Sequence, residues 1–435
     1  MNDYFKTNFI KYFITVGFAI LALYLTFNKH KNSGYFNYHS EIFGDKAGYY
    51  VYLPATFNFK FDPHQFPDTI DKRTGDGFRL DYLNNKVVTK YTCGIAILQT
   101  PFYLMAEKLA RNARSKPSGF SLYHHKCVNV ASIFYLVLGF LFLARFLGKY
   151  YKTHIIVFVL LTLFLGTNLY YYSIEDTGMT HVYSFSLFCM YLFFLQKTDY
   201  LLTSNAWQFL LFGILSGLII LIRPTNAIFL TTNFFLFSNG KQDVLDRIKR
   251  LFQFKLIFTI IGFGLISTPQ LLYWEYLQGS PLYYSYGEEG FKWLNPQPML
   301  SWFSPNNGLF IYTPIYVIII LSLILMIKKK IRNGVYILFL FLLLTYVLSS
   351  WWVWHFGCSF GGRSYVEYYA IMSIPLAYLM SKISYSKKLY LIGFCSFIVV
   401  CSVYNLKMTY AYDKCFFGEM YWDWATYLKL LSKAF

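Results

Sequence analysis

Four carboxylates, two arginines and a histidine carry the residue types that group transfer beside a membrane requires. Glu41 and Asp45 stand in Glu41-Ile-Phe-Gly-Asp45-Lys-Ala-Gly-Tyr-Tyr-Val-Tyr-Leu-Pro54, directly after the first apolar run. Burying a carboxylate at the end of a membrane helix is costly, so it marks a candidate functional group. It can serve as a base, a metal ligand or the partner of a cation. Glu175 and Asp176 stand in Ser173-Ile-Glu-Asp-Thr-Gly-Met-Thr-His181. Their plainer role is to cap the helix that follows Thr177, and that of His181 is packing on its first turn. Arg223 precedes Pro224, where a broken membrane segment frees carbonyls that a guanidinium can satisfy. Arg363 follows Gly361-Gly362 and suits bidentate binding of a phosphate, with Glu367 as an available partner. Carboxylates that act as base or metal site, with arginines that hold a phosphate, suit the removal of a group from a lipid phosphate.

The elements that must position these residues are membrane helices. The chain has 435 residues, of which 56% are hydrophobic, 22% aromatic and 14% charged. So low a charged fraction, with repeated long apolar runs, indicates an all-α polytopic membrane protein. About eleven runs are candidates to span: 9–27, 127–146, 154–172, 182–196, 207–222, 225–237, 255–276, 309–327, 334–352, 366–381 and 389–405. The pair flanking Arg223-Pro224 reads as broken or re-entrant. The net charge of +18 does not indicate nucleic-acid binding, because the basic residues sit in short loops between apolar runs. The seven cysteines are scattered, so neither a metal site nor a disulfide framework is expected.

Residues 93–110 are long enough to cross, yet contain Gln99, Pro101, Glu107 and Lys108. If they do not cross, the basic loops around Arg145, Lys241–Lys255, Lys328–Arg332 and Lys382–Lys388 share the side of Lys6 and Lys11. Only Asp3, Asp199, Asp243 and Asp246 then lie among them. The positive-inside rule makes that side cytoplasmic. The first apolar run has no small-residue cleavage site and is expected to remain as the first span. The polytopic domain is then 1–405. Residues 28–126 form a long first exterior loop, 93–110 an interfacial helix, and 406–435 a short exterior tail. The four carboxylates, His181, Arg223 and Arg363 all fall on the exterior face.

These motifs, in this order, resemble the GT-C superfamily of polytopic glycosyltransferases, in particular RgtA-like and dolichyl-phosphate-mannose-type transferases. Gly44-Asp45 followed by Tyr49-Tyr-Val-Tyr-Leu-Pro54 is similar to the acidic first exterior loop of that family. Glu175-Asp176 with His181 is similar to its second acidic position, and Arg223-Pro-Thr-Asn226 to its Arg-Pro turn. Gly308-Leu-Phe-Ile-Tyr-Thr-Pro314 and Phe360-Gly-Gly-Arg363-Ser-Tyr365 resemble the later motifs. The resemblance implies an inverting transferase in a bacterial inner membrane that uses a polyprenyl-phosphate-linked sugar donor. Its acceptor would be a glycan, a lipid or a protein, and membrane lipids its other partners. Asp45 would be the base, Glu175, Asp176 or Glu41 would orient the acceptor, and Arg363, Arg223 and His181 would hold the donor phosphate. A divalent metal, Mg or Mn, is compatible with these acids but not required by them; the first loop has no Asp-X-Asp. Two alternatives remain at this point: a polymerase or ligase using a lipid-pyrophosphate donor, and a transporter or lipid flippase. Transporters gather polar residues at the bilayer midplane, usually within repeats, and no repeat is visible in this chain.

Overall fold

The computed structural model describes residues 2–32, 35–114, 118–198, 205–412 and 421–435, with only the backbone for 2–14. Asp199 and residues 413–420 of the tail lie outside the described residues. The chain is mostly helical, because its long apolar runs can satisfy their backbone polar groups only within themselves. Among the described residues, three helices are long and apolar enough to cross a membrane: Leu122–Leu147, Leu256–Gln278 and Lys388–Ala411. Five shorter apolar helices accompany them, Thr153–Leu165, Ala206–Ile222, Ile315–Lys328, Gly334–Ser349 and Tyr369–Ile383.

Three expected runs take other forms. Run 154–172 is helical over Thr153–Leu165, stops at Gly166, and ends in the Tyr171–Glu175 π-helix. Run 225–237 is an eight-residue 3-10 helix, Pro224–Thr231, and a four-residue helix, Thr232–Phe235. That is roughly 22 Å of rise, short of a bilayer core of about 30 Å. Pro224 lacks the amide that would continue the preceding helix. Run 309–327 breaks at Thr313-Pro314 into Leu309–Tyr312 and Ile315–Lys328.

The chain divides into two compact units. The first comprises 1–141, 172–183 and 270–285. It contains the first helix, Asn2–Lys29, and most of the segment expected to be exterior. Its core packs Tyr50, Val51, Leu53, Phe59, Phe66, Phe78 and Phe120, together with Tyr273 and Leu277. Full burial of each large apolar side chain contributes about 1.5–3 kcal/mol. The expected helix at 93–110 is present as Gly94–Asn112, with Ile95, Ala96, Leu98, Tyr103 and Ala106 buried and Leu104, Met105 and Leu109 exposed.

One hairpin departs from the expected all-helical pattern. Arg79–Asp81 pairs antiparallel with Lys86–Val88, Leu80 opposite Val87. The hydroxyl of Tyr273 receives the Thr89 amide at 2.8 Å, that of Tyr276 receives the Val87 amide at 3.0 Å, and Lys86 Nζ donates to the Leu277 carbonyl at 2.7 Å. The end of the Leu256–Gln278 helix thereby holds the hairpin in place.

The second unit comprises 142–171, 184–269 and 286–435. It contains the helices Thr153–Leu165, Ala206–Ile222, Ile315–Lys328, Gly334–Ser349, Tyr369–Ile383 and Lys388–Ala411, and its core is rich in buried tyrosines such as Tyr191, Tyr312, Tyr316 and Tyr369.

Candidate active site

Asp45 opens the Asp45–Tyr50 helix, and Gly44 before it has φ 56°, a left-handed conformation that favours glycine. This turn lies against the 75–77 segment at very short range. A Cβ on Gly77 would stand 1.9 Å from the Gly44 carbonyl oxygen, and one on Gly48 would stand 2.2 Å from the Tyr91 ring. Tyr91 therefore reaches over Gly48 and donates its hydroxyl to Asp45 Oδ1 at 2.5 Å. Its ring packs on Tyr49 with centroids 4.4 Å apart.

Asp45 and Tyr91 line a cavity of about 760 Å³. Its wall includes Asp76, Arg79, Asp81, Asn84, Lys86, Lys90 and Ser285. The hairpin and the 278–285 segment supply most of this polar wall. Such a volume accommodates a sugar-sized ligand, and a carboxylate at its wall is positioned to accept a proton.

The other three carboxylates have different surroundings. Glu41 is buried; its Oε1 lies 2.9 Å from His30 Nδ1 and receives Asn129 Nδ2 at 2.8 Å, while its Oε2 lies 2.9 Å from His125 Nδ1. Burial by itself would raise the Glu41 pKa, but the hydrogen bonds from His125 and His30 outweigh it and hold the carboxyl well below the usual range. Asp176 Oδ1 receives the buried Lys46 ammonium at 2.9 Å, and Glu175 Oε2 lies 3.0 Å from Lys29 Nζ. Gly178 permits this approach, since a Cβ there would stand 2.3 Å from the Glu41 carbonyl oxygen and 3.0 Å from Lys46 Cδ. Glu41, Glu175 and Asp176 thus bind the first helix and the first loop to the 172–183 turn. His181 begins the His181–Thr198 helix, 1% exposed, with its ring edge-on to Tyr172 at 4.5 Å.

Among the described residues no group of three or more His, Cys, Asp or Glu side chains is arranged to hold a metal ion. The oxygens of Glu41 and Asp176 face nitrogen donors instead. The acids therefore do not fit a divalent cation.

The arginines belong to the second unit. Arg223 ends the Ala206–Ile222 helix in an extended conformation, φ −154°. Its Nη1 donates to Glu367 Oε1 at 2.9 Å and its Nη2 to Ser364 Oγ at 2.8 Å. Glu367 thus receives Arg223. The guanidinium carbons of Arg223 and Arg363 lie 5.8 and 5.7 Å from the Phe356 ring centroid. Asn307 secures the loop, donating to the carbonyls of His355 and Gly357 at 2.9 and 3.0 Å and accepting the Gly361 amide at 3.1 Å. Gly361 has φ +65° with Tyr312 Cβ 2.8 Å from where its own Cβ would be. Burial pushes the His355 pKa down to about 4, opposed by a backbone hydrogen bond with Gly357 and assisted by the nearby Arg363 charge. Cys358, in the same loop, is disulfide-bonded, which corrects the expectation of no disulfide.

Reasoning from sequence missed Lys46, His30, His125, Asn129 and Tyr91. Only two faint signals preceded them: Lys46 adjoins Asp45, and His124-His125 opens the second long apolar helix. No protein-family model, curated protein or solved structure matches the chain.

Proposed function

We propose that the chain is a multi-pass inverting glycosyltransferase of the GT-C kind, with about eleven membrane passes. It moves a sugar from a polyprenyl-phosphate donor to an acceptor hydroxyl at the exterior face of a bacterial inner membrane. Its N-terminus is cytoplasmic and its C-terminus exterior. The observation that carries this reading is Asp45, bonded to Tyr91 at the wall of a sugar-sized polar cavity. The neighbouring acids Glu41, Glu175 and Asp176 are paired with His30, His125, Lys29 and Lys46.

In the reaction Asp45 takes the proton of the acceptor hydroxyl as its oxygen bonds to the anomeric carbon. The bond from that carbon to the phosphate oxygen breaks, and its electron pair leaves with the polyprenyl phosphate. In the second unit Arg363 is the group proposed to hold a phosphate, and Arg223, bonded to Glu367 and Ser364, positions its loop. No step uses a metal.

The test is a transfer assay with purified protein and a panel of radiolabelled polyprenyl-phosphate sugars. Wild type should release polyprenyl phosphate, and Asp45→Asn, shown to be folded and inserted, should not. Full activity in Asp45→Asn with none in Arg363→Ala would favour a polymerase or ligase acting on a lipid pyrophosphate.

A further inference from the structure

A second cavity, of about 310 Å³, opens in the second unit and is lined by Lys149, Tyr150, Phe237, Asp243, Arg247 and Arg332 among others. By the charge distribution of the loops it belongs to the cytoplasmic side, away from the proposed chemistry. Its one acid is internally satisfied: Asp243 Oδ1 receives Arg247 Nε at 3.2 Å and Oδ2 receives the Asn239 amide at 2.9 Å. Arg247 is buried and also donates to the Asn233 carbonyl at 3.0 Å. Lys149 and Arg332 remain exposed, each beside a ring, 5.9 Å from the Tyr150 centroid and 5.8 Å from the Phe237 centroid. Neither makes an ion pair among the described residues. Two such cations at the mouth of an aromatic cavity form an anion site.

The adjoining segment supplies an independent observation. The Lys241–Lys249 helix contributes Asp243 and Arg247 to the cavity and turns Leu245 and Ile248 outward, each 40% exposed. Phe252 and Phe254 follow at 89% and 87% exposure. Lys241, Lys249, Arg250 and Lys255 are interspersed with them. Leaving two phenylalanines in water forfeits about 1.5–3 kcal/mol each. An alternation of basic and apolar residues on a short helix suits the headgroup layer of a membrane. A second copy of this segment would present like charge, whereas an anionic leaflet presents the opposite charge.

We infer that this cavity is a binding site for an anionic glycerophospholipid of the cytoplasmic leaflet, with Lys149 and Arg332 holding its phosphate and the 241–255 segment lying in the headgroup layer. The inference rests on the membrane reading of the chain but not on its catalytic assignment.

The experiment uses delipidated full-length protein in a neutral detergent and fluorescent phosphatidylglycerol as probe. Unlabelled phosphatidylglycerol should displace the probe at least tenfold better than phosphatidylcholine. Soluble glycerol phosphate should fail to displace it, and raised salt should weaken binding. Lys149→Ala with Arg332→Ala should lower affinity about tenfold or more and erase the preference between the two lipids. Lys149→Arg with Arg332→Lys should preserve the preference, and Phe252→Ser with Phe254→Ser should weaken both lipids alike. Equal affinity for the two lipids, undiminished binding by the alanine variant, or displacement by glycerol phosphate as effective as by lipid would each overturn the inference. Binding is read without turnover, so this result and the transfer assay succeed or fail separately.

Discussion

At the scale of single residues, acids close in sequence have different surroundings. Asp45 has Tyr91 as a hydroxyl donor at 2.5 Å and faces a cavity. Tyr91→Phe removes that donor but keeps the ring on Tyr49, so transfer should fall about tenfold with little change in stability, a smaller loss than Asp45→Asn produces. Separating kcat from KM checks that the loss lies in the chemical step. Asp176 differs, being the counter-ion of buried Lys46. Asp176→Ala alone should cost about 3–5 kcal/mol by stranding that ammonium, and Lys46→Met together with Asp176→Leu should restore most of it. Thermal unfolding of the single and double variants in detergent decides this; a double variant as unstable as the single one would refute the structural role.

Acid stability follows from two groups with opposite charges. The Glu41 carboxyl is held below the ordinary glutamate value of 4.5, so its contribution is complete above that pH and is lost as pH falls toward its folded pKa. His355 is pushed down from 6.5 to about 4, so the unfolded chain takes up its proton first and stability falls as pH drops through that window. Glu41→Gln should flatten the loss below about pH 4.5 and His355→Asn the loss between about 6.5 and 4, both read from unfolding midpoints against pH.

The candidate site was partly legible for reasons visible at these same residues. Asp45, Arg223 and Arg363 announce themselves through local context: an acid after an apolar run, an arginine before proline and an arginine after paired glycines. Their neighbours do not. Lys46 meets Asp176 across 130 residues and His125 meets Glu41 across 84. No short pattern encodes pairings over such separations; only the packing of the unit creates them.

At the scale of elements, glycines and breaks govern geometry. Gly77→Ala would place a methyl 1.9 Å from the Gly44 carbonyl. The turn before Asp45 must then move, at a cost of about 1–3 kcal/mol, and transfer should fall more than stability does. The periodic apolar runs translate into helices well, but the hairpin was overlooked in a segment read as polar loop. Its signal is Leu80 and Val87 flanking Asn84-Asn85, only three residues per strand, too short for alternation to stand out. Run 225–237 was legible for the opposite reason: its composition is apolar, yet the Arg223-Pro224 break read from the sequence is there, and Pro224 opens a tighter and shorter helix.

At the scale of the whole molecule, charge and redox chemistry give concordant indications. On the proposed topology the basic loops are cytoplasmic and disulfide-bonded Cys358 lies in a loop of the opposite side, where an oxidising compartment would preserve such bonds. Leu83, 98% exposed at the hairpin tip, should as Leu83→Cys react with a membrane-impermeant maleimide in intact cells. Lys387→Cys should react only after permeabilisation. The reverse pattern would invert the topology and remove the proposed exterior site.

The Arg223–Glu367 bond spans 144 residues, and this separation sets an order for biogenesis. A ribosome adding about 5–20 residues per second delivers Glu367 roughly ten seconds after Arg223. During that interval the guanidinium at the broken segment has no native acid, so the nascent chain must shelter it with water, lipid headgroups or the insertion machinery. A chain truncated after Ser350 would never leave that state. It should be cleared by quality-control proteases faster than a chain carrying both Arg223→Leu and the same truncation, as a pulse-chase measurement would reveal.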